Sequence, residues 1–396
     1  MKRFRETALF TLVFLMSSNI AVYLFLAHRT NVPPFVFYVG STSFLYLLSL
    51  TIAQRSPVSH PYVIALVSLM GLSSVEFVIH DQTMEGFKVF ATELYLYLYA
   101  GATFFILSSS PNTVRVAKSA LLFTSVVSVV VNVYDFLHPG KLLPPDLSIP
   151  GRASGLYANP NISGIALVLS LSLTIDLVPP RLREWFCLYI STGVLLTVSR
   201  GAILALAITL ALFWYLRLVS RRAFLLAFVA PLVIAPFLAI GVLNIVARSN
   251  QINPETVIKR LSWFSEVGRG HDVSEASRLR VAEKAIEVLD SNKWLGIGAS
   301  EISAWPILPH NMYLLFAVEY GLLGIFIYPM FVFSTVIKGW GGSRGALLPF
   351  TIAMLLFGLV DHNMMTTYIV LIAAAIVAAE SIMPRPQFDE KGVSSI

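Results

Sequence analysis

The feature that most constrains this chain is its recurrent apolar runs of roughly 17–25 residues, the length at which an α-helix crosses about 30 Å of hydrocarbon. Segments such as AILALAITLALFWYL, residues 202–216, have no alternation of apolar and polar positions, so they read as helices and not as strands of a membrane barrel. A length of 396 residues would otherwise suggest two or three soluble domains. That reading fails on composition. Hydrophobic residues make up 56% and charged residues 13%, with a mean hydropathy of +0.75, too apolar for a water-facing surface. The expectation is an all-α integral membrane protein of about 12 transmembrane helices with one long outer loop carrying short helices.

The spans are expected near 8–27, 35–53, 61–79, 88–107, 119–137, 162–178, 184–198, 201–217, 223–246, 311–336, 346–360 and 364–382. The basic, then apolar, N-terminus has an apolar run too long for a signal peptide and reads as a retained first helix. Cys187 is the single cysteine, so no intramolecular disulfide can form. Orientation follows from Lys and Arg. With the N-terminus in the cytoplasm, fifteen of the 28 fall in inner segments and five in short outer loops and helix ends. Both termini are then inside. The layout is residues 1–246 for helices 1–9, including a short outer loop at 137–161, then a loop domain at 247–309. Helices 10–12 follow at 310–384, with a cytoplasmic tail at 385–396. The pI of about 9.3 reflects the basic inner loops, which suit anionic lipid headgroups and give no reason to invoke nucleic acid.

Polar residues in such a chain need a reason. In GRASGLYANPNISG, residues 151–164, Arg152, Asn159 and Asn161 sit between two apolar stretches, with Asn159-Pro160 suited to starting a helix. In LLTVSRGAILALA, Arg200 interrupts an apolar run and Gly201 permits close helix approach. In SEASRLRVAEKAIEVLDSN, a surface helix over 274–289 places Arg278 on one side with Ala282, Ala285 and Leu289, and Arg280 about 200° away. An arginine on the apolar side either meets an anion, pairs with a carboxylate or snorkels. In PILPHNMYLLFAVEYGLLG, His310 precedes Asn311 at the mouth of a long apolar helix, with Glu319 and Tyr320 deeper in it. That histidine is either an interfacial capped residue or a general base titrating near neutrality. By topology Arg152, Arg200, Arg278 and His310 share the outer face. No metal-ligand set or glycine-rich phosphate loop accompanies them. Asp361-His362-Asn363 reads as a turn, and Glu93 has no evident role.

R-x-SGL-x-x-NPN from Arg152, SRGA at Arg200, SRL at Arg278, GIG at Gly296–Gly298 and HNMYLLFAVEYGLLG from His310 resemble, in order, the motifs of the O-antigen ligase/polymerase superfamily. The family often has an aromatic residue a few positions after the loop arginine, where this chain reads RLRVAEKA. The resemblance implies a GT-C type membrane glycosyltransferase in the bacterial inner membrane. It would move a glycan from undecaprenyl diphosphate to a lipid A core hydroxyl, or another glycan acceptor, at the periplasmic face, with inversion and without metal or other cofactor. It implies catalytic roles for His310, Arg278 and Arg200, and substrate binding by Arg152, Asn159, Asn161, Asn311, Arg280 and Glu319. An O-antigen polymerase or a protein O-oligosaccharyltransferase shares these donor motifs. A 12-span secondary transporter fits the hydropathy but would more often show two related halves. A non-catalytic assembly protein would bind lipid-linked glycan without turnover.

Overall fold

The computed structural model describes residues 2–27, 58–80, 82–144, 147–149, 151–229, 273–339 and 347–383, with scattered positions between 29 and 45. Most of the expected spans 35–53 and 223–246, the loop stretch 247–272 and the tail 385–396 lie outside the described residues. Within them every regular element is helical, and no strand occurs.

The chain opens with α1 (Lys2–Ser17) and α2 (Ile20–Leu26), bent by 47° at a break where Asn19 takes a left-handed φ of 58°. α3 (Pro61–His80), α4 (Met84–Leu107) and α5 (Pro111–Leu137) are each long and apolar enough to cross a membrane, as is the stretch Leu322–Gly339. Among the described residues that makes four spans, or five if the bent pair is one. These helices make the protein a multi-pass membrane protein. Among the described residues, helices of full spanning length do not reach the expected count of about twelve.

Other expected spans appear as shorter helices: α6 (Pro160–Thr174), α7 (Arg183–Leu196), α8 (Arg200–Tyr215), α13 (Leu347–Val360) and α14 (Tyr368–Ile382). Between α14 and α6, in contact at the centre, lies the core. α6 is buried from Ser163 to Thr174 and α14 from Ile369 to Ala379, as expected of helices apolar on all sides. Helix starts are set locally. Ser110 caps α5 by accepting from Thr113 N at 3.3 Å, with Pro111 at the first position, and Thr83 caps α4 by accepting from Gly86 N at 3.0 Å.

α9 (Val273–Ser291) occupies the expected loop helix, followed by the short α10 (Ala299–Ser303). The stretch read as one span at 311–336 is broken. α11 (Met312–Tyr320) ends at Gly321, and a 3-10 turn over Leu322–Phe326 leads into α12 (Ile327–Val336). Gly321 has φ 78° and ψ −176°, a conformation open essentially to glycine alone. The turn then folds back so closely that a Cβ on Gly324 would lie 1.9 Å from the Phe316 carbonyl oxygen. Hydropathy is continuous across this break, which is why the sequence reads it as one helix.

Candidate functional site

α6, α8, α11 and α14 begin at the end of the bundle where α5, α7 and α13 finish, and the sequence-derived candidates gather there. The loop before α6 is held from below by α5. Asp135 Oδ2 accepts from Ser154 N at 2.8 Å and from Gly155 N at 3.0 Å. One turn earlier, Asn132 donates to Ser163 Oγ at 2.9 Å and to Gly193 O at 3.3 Å. Arg152 is thereby placed to donate from Nε to Thr197 O and from Nη2 to Asn161 Oδ1, each at 2.9 Å. Asn159 serves as the N-cap of α6, accepting from Asn161 N at 2.9 Å.

Thr197 belongs to the sharp turn between α7 and α8, where Val198 has φ 48°, an outlier for a β-branched residue and a cost of about 1–3 kcal/mol. Arg200 follows directly and opens α8. Two glycines bring helices against this turn. A Cβ on Gly164 would lie 2.5 Å from Ala202 Cβ, and one on Gly201 would lie 2.5 Å from Val360 Cγ2. Val360 closes α13, immediately before Asp361 and His362. Contact therefore runs unbroken from Arg152 through Thr197 and the start of α8 to the 361–363 turn.

At that turn Asp361 Oδ1 accepts from Asn363 N at 2.8 Å, an Asx-type turn. It presents the His362 ring to His310, with centroids 5.0 Å apart and planes at 62°. Both Nδ1 atoms are buried and have no hydrogen-bond partner among the described residues. Burial, then the Arg278 guanidinium, then His362 hold the His310 imidazole below its ordinary pKa, and Asp361 opposes them. His362 is also lowered by burial and opposed by Asp361. A neutral imidazole near pH 7 is the state a proton acceptor needs. Asn311 caps α11, accepting from Tyr313 N at 2.9 Å and Leu314 N at 3.1 Å.

Arg278 lies on the face of α9 that also carries the fully buried Ala285, nearer the helix start, and is exposed. Arg280, also exposed, points to a different side. Glu319 is not brought to His310: nine positions separate them, about 13 Å along a helix. It lies buried near Tyr97 and Tyr320, two phenols that also feel the charges of Glu93 and Glu76. Glu93 accepts from Ser73 Oγ at 2.7 Å, and Glu76 accepts the backbone N–H of Ala299 at the start of α10. This second cluster anchors the loop. Gly296 and Gly298, with φ of 71° and 89°, lie against the end of α11, where Ile297 N donates to Val318 O at 2.9 Å and Gly298 N to Glu319 O at 3.2 Å.

The structure thus brings Arg152, Asn159, Asn161, Arg200, Asn311, His310 and Arg278 to one end, with Glu319 beneath and Arg280 directed elsewhere. Sequence reasoning passed over His362, Asp361, Asp135 and Asn132. The signal for the last two was there: polar side chains near the end of an apolar span are expensive without a purpose. Among the described residues, no three His, Cys, Asp or Glu are grouped to hold a metal ion. The arrangement offers guanidinium groups for an anion and a half-buried imidazole, held below its ordinary pKa, for a proton.

A family model described as O-antigen ligase matches residues 185–328, the region holding Arg200, Arg278, Gly296–Gly298 and His310. The resemblance to the O-antigen ligase-like superfamily is borne out over that stretch. No curated protein matches the chain.

Proposed function

We propose that this protein is an O-antigen ligase-like glycosyltransferase. It takes a glycan from undecaprenyl diphosphate and joins it to a lipid A core hydroxyl at the periplasmic face of the bacterial inner membrane, with both termini in the cytoplasm. The observation carrying this reading is His310, packed against His362 and in the field of Arg278, within the region that matches the O-antigen ligase family.

In this reading the acceptor oxygen attacks the anomeric carbon as the bond to the diphosphate breaks on the opposite face, inverting the configuration. The hydroxyl proton passes to His310, a step worth roughly 10²–10⁴ in rate. The bonding pair leaves with undecaprenyl diphosphate, whose growing charge falls to Arg278, Arg200 and Arg152 in place of a metal ion. Arginine suits that task because it stays charged and offers a planar fork to phosphate oxygens. Its five N–H donors let Arg152 brace Thr197 O and Asn161 while also addressing the donor headgroup. Asn159 and Asn311 hold the helix starts that frame the headgroup, Asn161 fixes Arg152, and Glu319 fixes the loop through the cluster below.

Complementation tests the reading. Expressed in a strain lacking its O-antigen ligase, the protein is expected to restore long-chain lipopolysaccharide bands. In a strain lacking the polymerase it is expected to leave single-repeat products unchanged. The reverse pattern would make it a polymerase.

A further inference from the structure

The opposite end of the bundle, where α7 begins and α8 finishes, carries a cavity of about 460 Å³ lined by Arg183, Arg217, Arg221, Trp214, Glu184 and Ser220 among others. Three arginines against one carboxylate leave the lining cationic, and that carboxylate is engaged, accepting from Ser220 Oγ at 2.5 Å. The walls come from two stretches of the chain, 180–184 and 214–221. Arg183 is fixed by donating from Nε to Val178 O at 3.1 Å and from Nη1 to Leu218 O at 3.3 Å.

Arg217 is the telling residue. α8 closes in a Schellman motif: Leu218 N donates to Phe213 O at 2.8 Å and Arg217 N to Trp214 O at 3.0 Å. The residue at the left-handed position of that motif is usually glycine, yet here it is Arg217, with φ 59°. A side chain kept where glycine would close the helix with less strain points to a use for the side chain itself. The level in the membrane is marked too. Trp185, Trp214 and Tyr215 are all exposed at this end, the pattern of aromatic residues at headgroup depth.

We infer that this cavity is a binding site for the headgroup of an anionic phospholipid, its phosphate held by Arg217, Arg221 and Arg183, with Trp214 beside the glycerol. The site lies at the other end of the molecule from His310 and is independent of the reading of that site.

The test uses the full-length protein in nanodiscs and native mass spectrometry of retained lipid, comparing phosphatidylglycerol with phosphatidylcholine. Wild type is expected to retain phosphatidylglycerol preferentially. Arg217→Gly removes one cation while relieving the backbone, so thermal stability in phosphatidylcholine is expected to hold or rise while the preference falls about fivefold. With Arg221→Gln added the fall is expected to reach about thirtyfold, at roughly fivefold per arginine near a headgroup. Lys88→Gln with Lys141→Gln, at the other end, is the control and is expected to change nothing. Equal retention of the two lipids by wild type, or an unchanged preference in the double variant, would overturn the assignment. Inorganic phosphate displacing the lipid at equal concentration would also overturn it, by making the cavity a site for the free anion.

Discussion

At His310 one imidazole is pulled two ways. Burial, Arg278 and His362 favour its neutral form, and Asp361 favours the charged one. The signs of two substitutions follow. Asp361→Asn removes the raising influence, so the acid limb of the pH–rate profile is expected to move to lower pH. His362→Gln removes a lowering influence, so that limb is expected to move to higher pH. Profiles of kcat/KM for glycan transfer check both, and limbs shifting together in one direction would contradict the assignment. His310, Arg278, Arg200 and Arg152 were legible in the sequence because charge and imidazole stand out against apolar neighbours. His362 was not, since DHN reads as a turn and its partner is far away in the chain. Asn159 was legible as a helix start, and the capping bonds at Asn159 and Asn311 show why asparagine stands at each.

The elements that place these residues depend on a few close backbone approaches. The turn at Gly296–Gly298 lies against the end of α11 so tightly that a Cβ on Gly296 would sit 2.2 Å from the Glu319 carbonyl oxygen. Gly296→Ala also forces a left-handed φ on an L side chain, about 1–3 kcal/mol of strain before any clash. The expected result is loss of amide-exchange protection over 293–299 and reduced transfer, with α3 to α6 as protected as in wild type. Unchanged protection over 293–299 would show that the turn is not seated as described. GIG was visible as a motif; what it packs against was not, because Glu76, Val318 and Glu319 lie far off in sequence. The break at Gly321 was hidden for a different reason: apolar residues flank it on both sides, and hydropathy does not register a change of direction.

On the scale of the whole molecule, polar contacts concentrate at both ends of an apolar bundle. At the end opposite His310, Lys118 reaches Asp176 at 2.5 Å and Glu380 at 3.4 Å, joining α5 and α14 to the connection after α6. Lys118 is 3% exposed, so Lys118→Ala strands two carboxylates and is expected to lower the melting temperature in detergent. The loss should fall below the roughly 3–5 kcal/mol of a fully buried pair, because the Asp176 side chain is 45% exposed. An unchanged melting temperature would remove this contact from the account of stability. The all-helical membrane architecture was plain from run length and composition. The number of crossings was less so, because buried central helices such as α6 and α14 need no full bilayer length when other helices surround them.

The most direct test of the central claim, that arginines and one histidine carry the transfer, is turnover in vitro from purified undecaprenyl diphosphate-linked glycan to lipid A core in the presence of EDTA. Wild type is expected to transfer glycan at an undiminished rate. His310→Ala, shown to be folded by an unaltered melting temperature, is expected to lose at least about a hundredfold. Full activity in His310→Ala, or wild-type transfer abolished by EDTA, would contradict it.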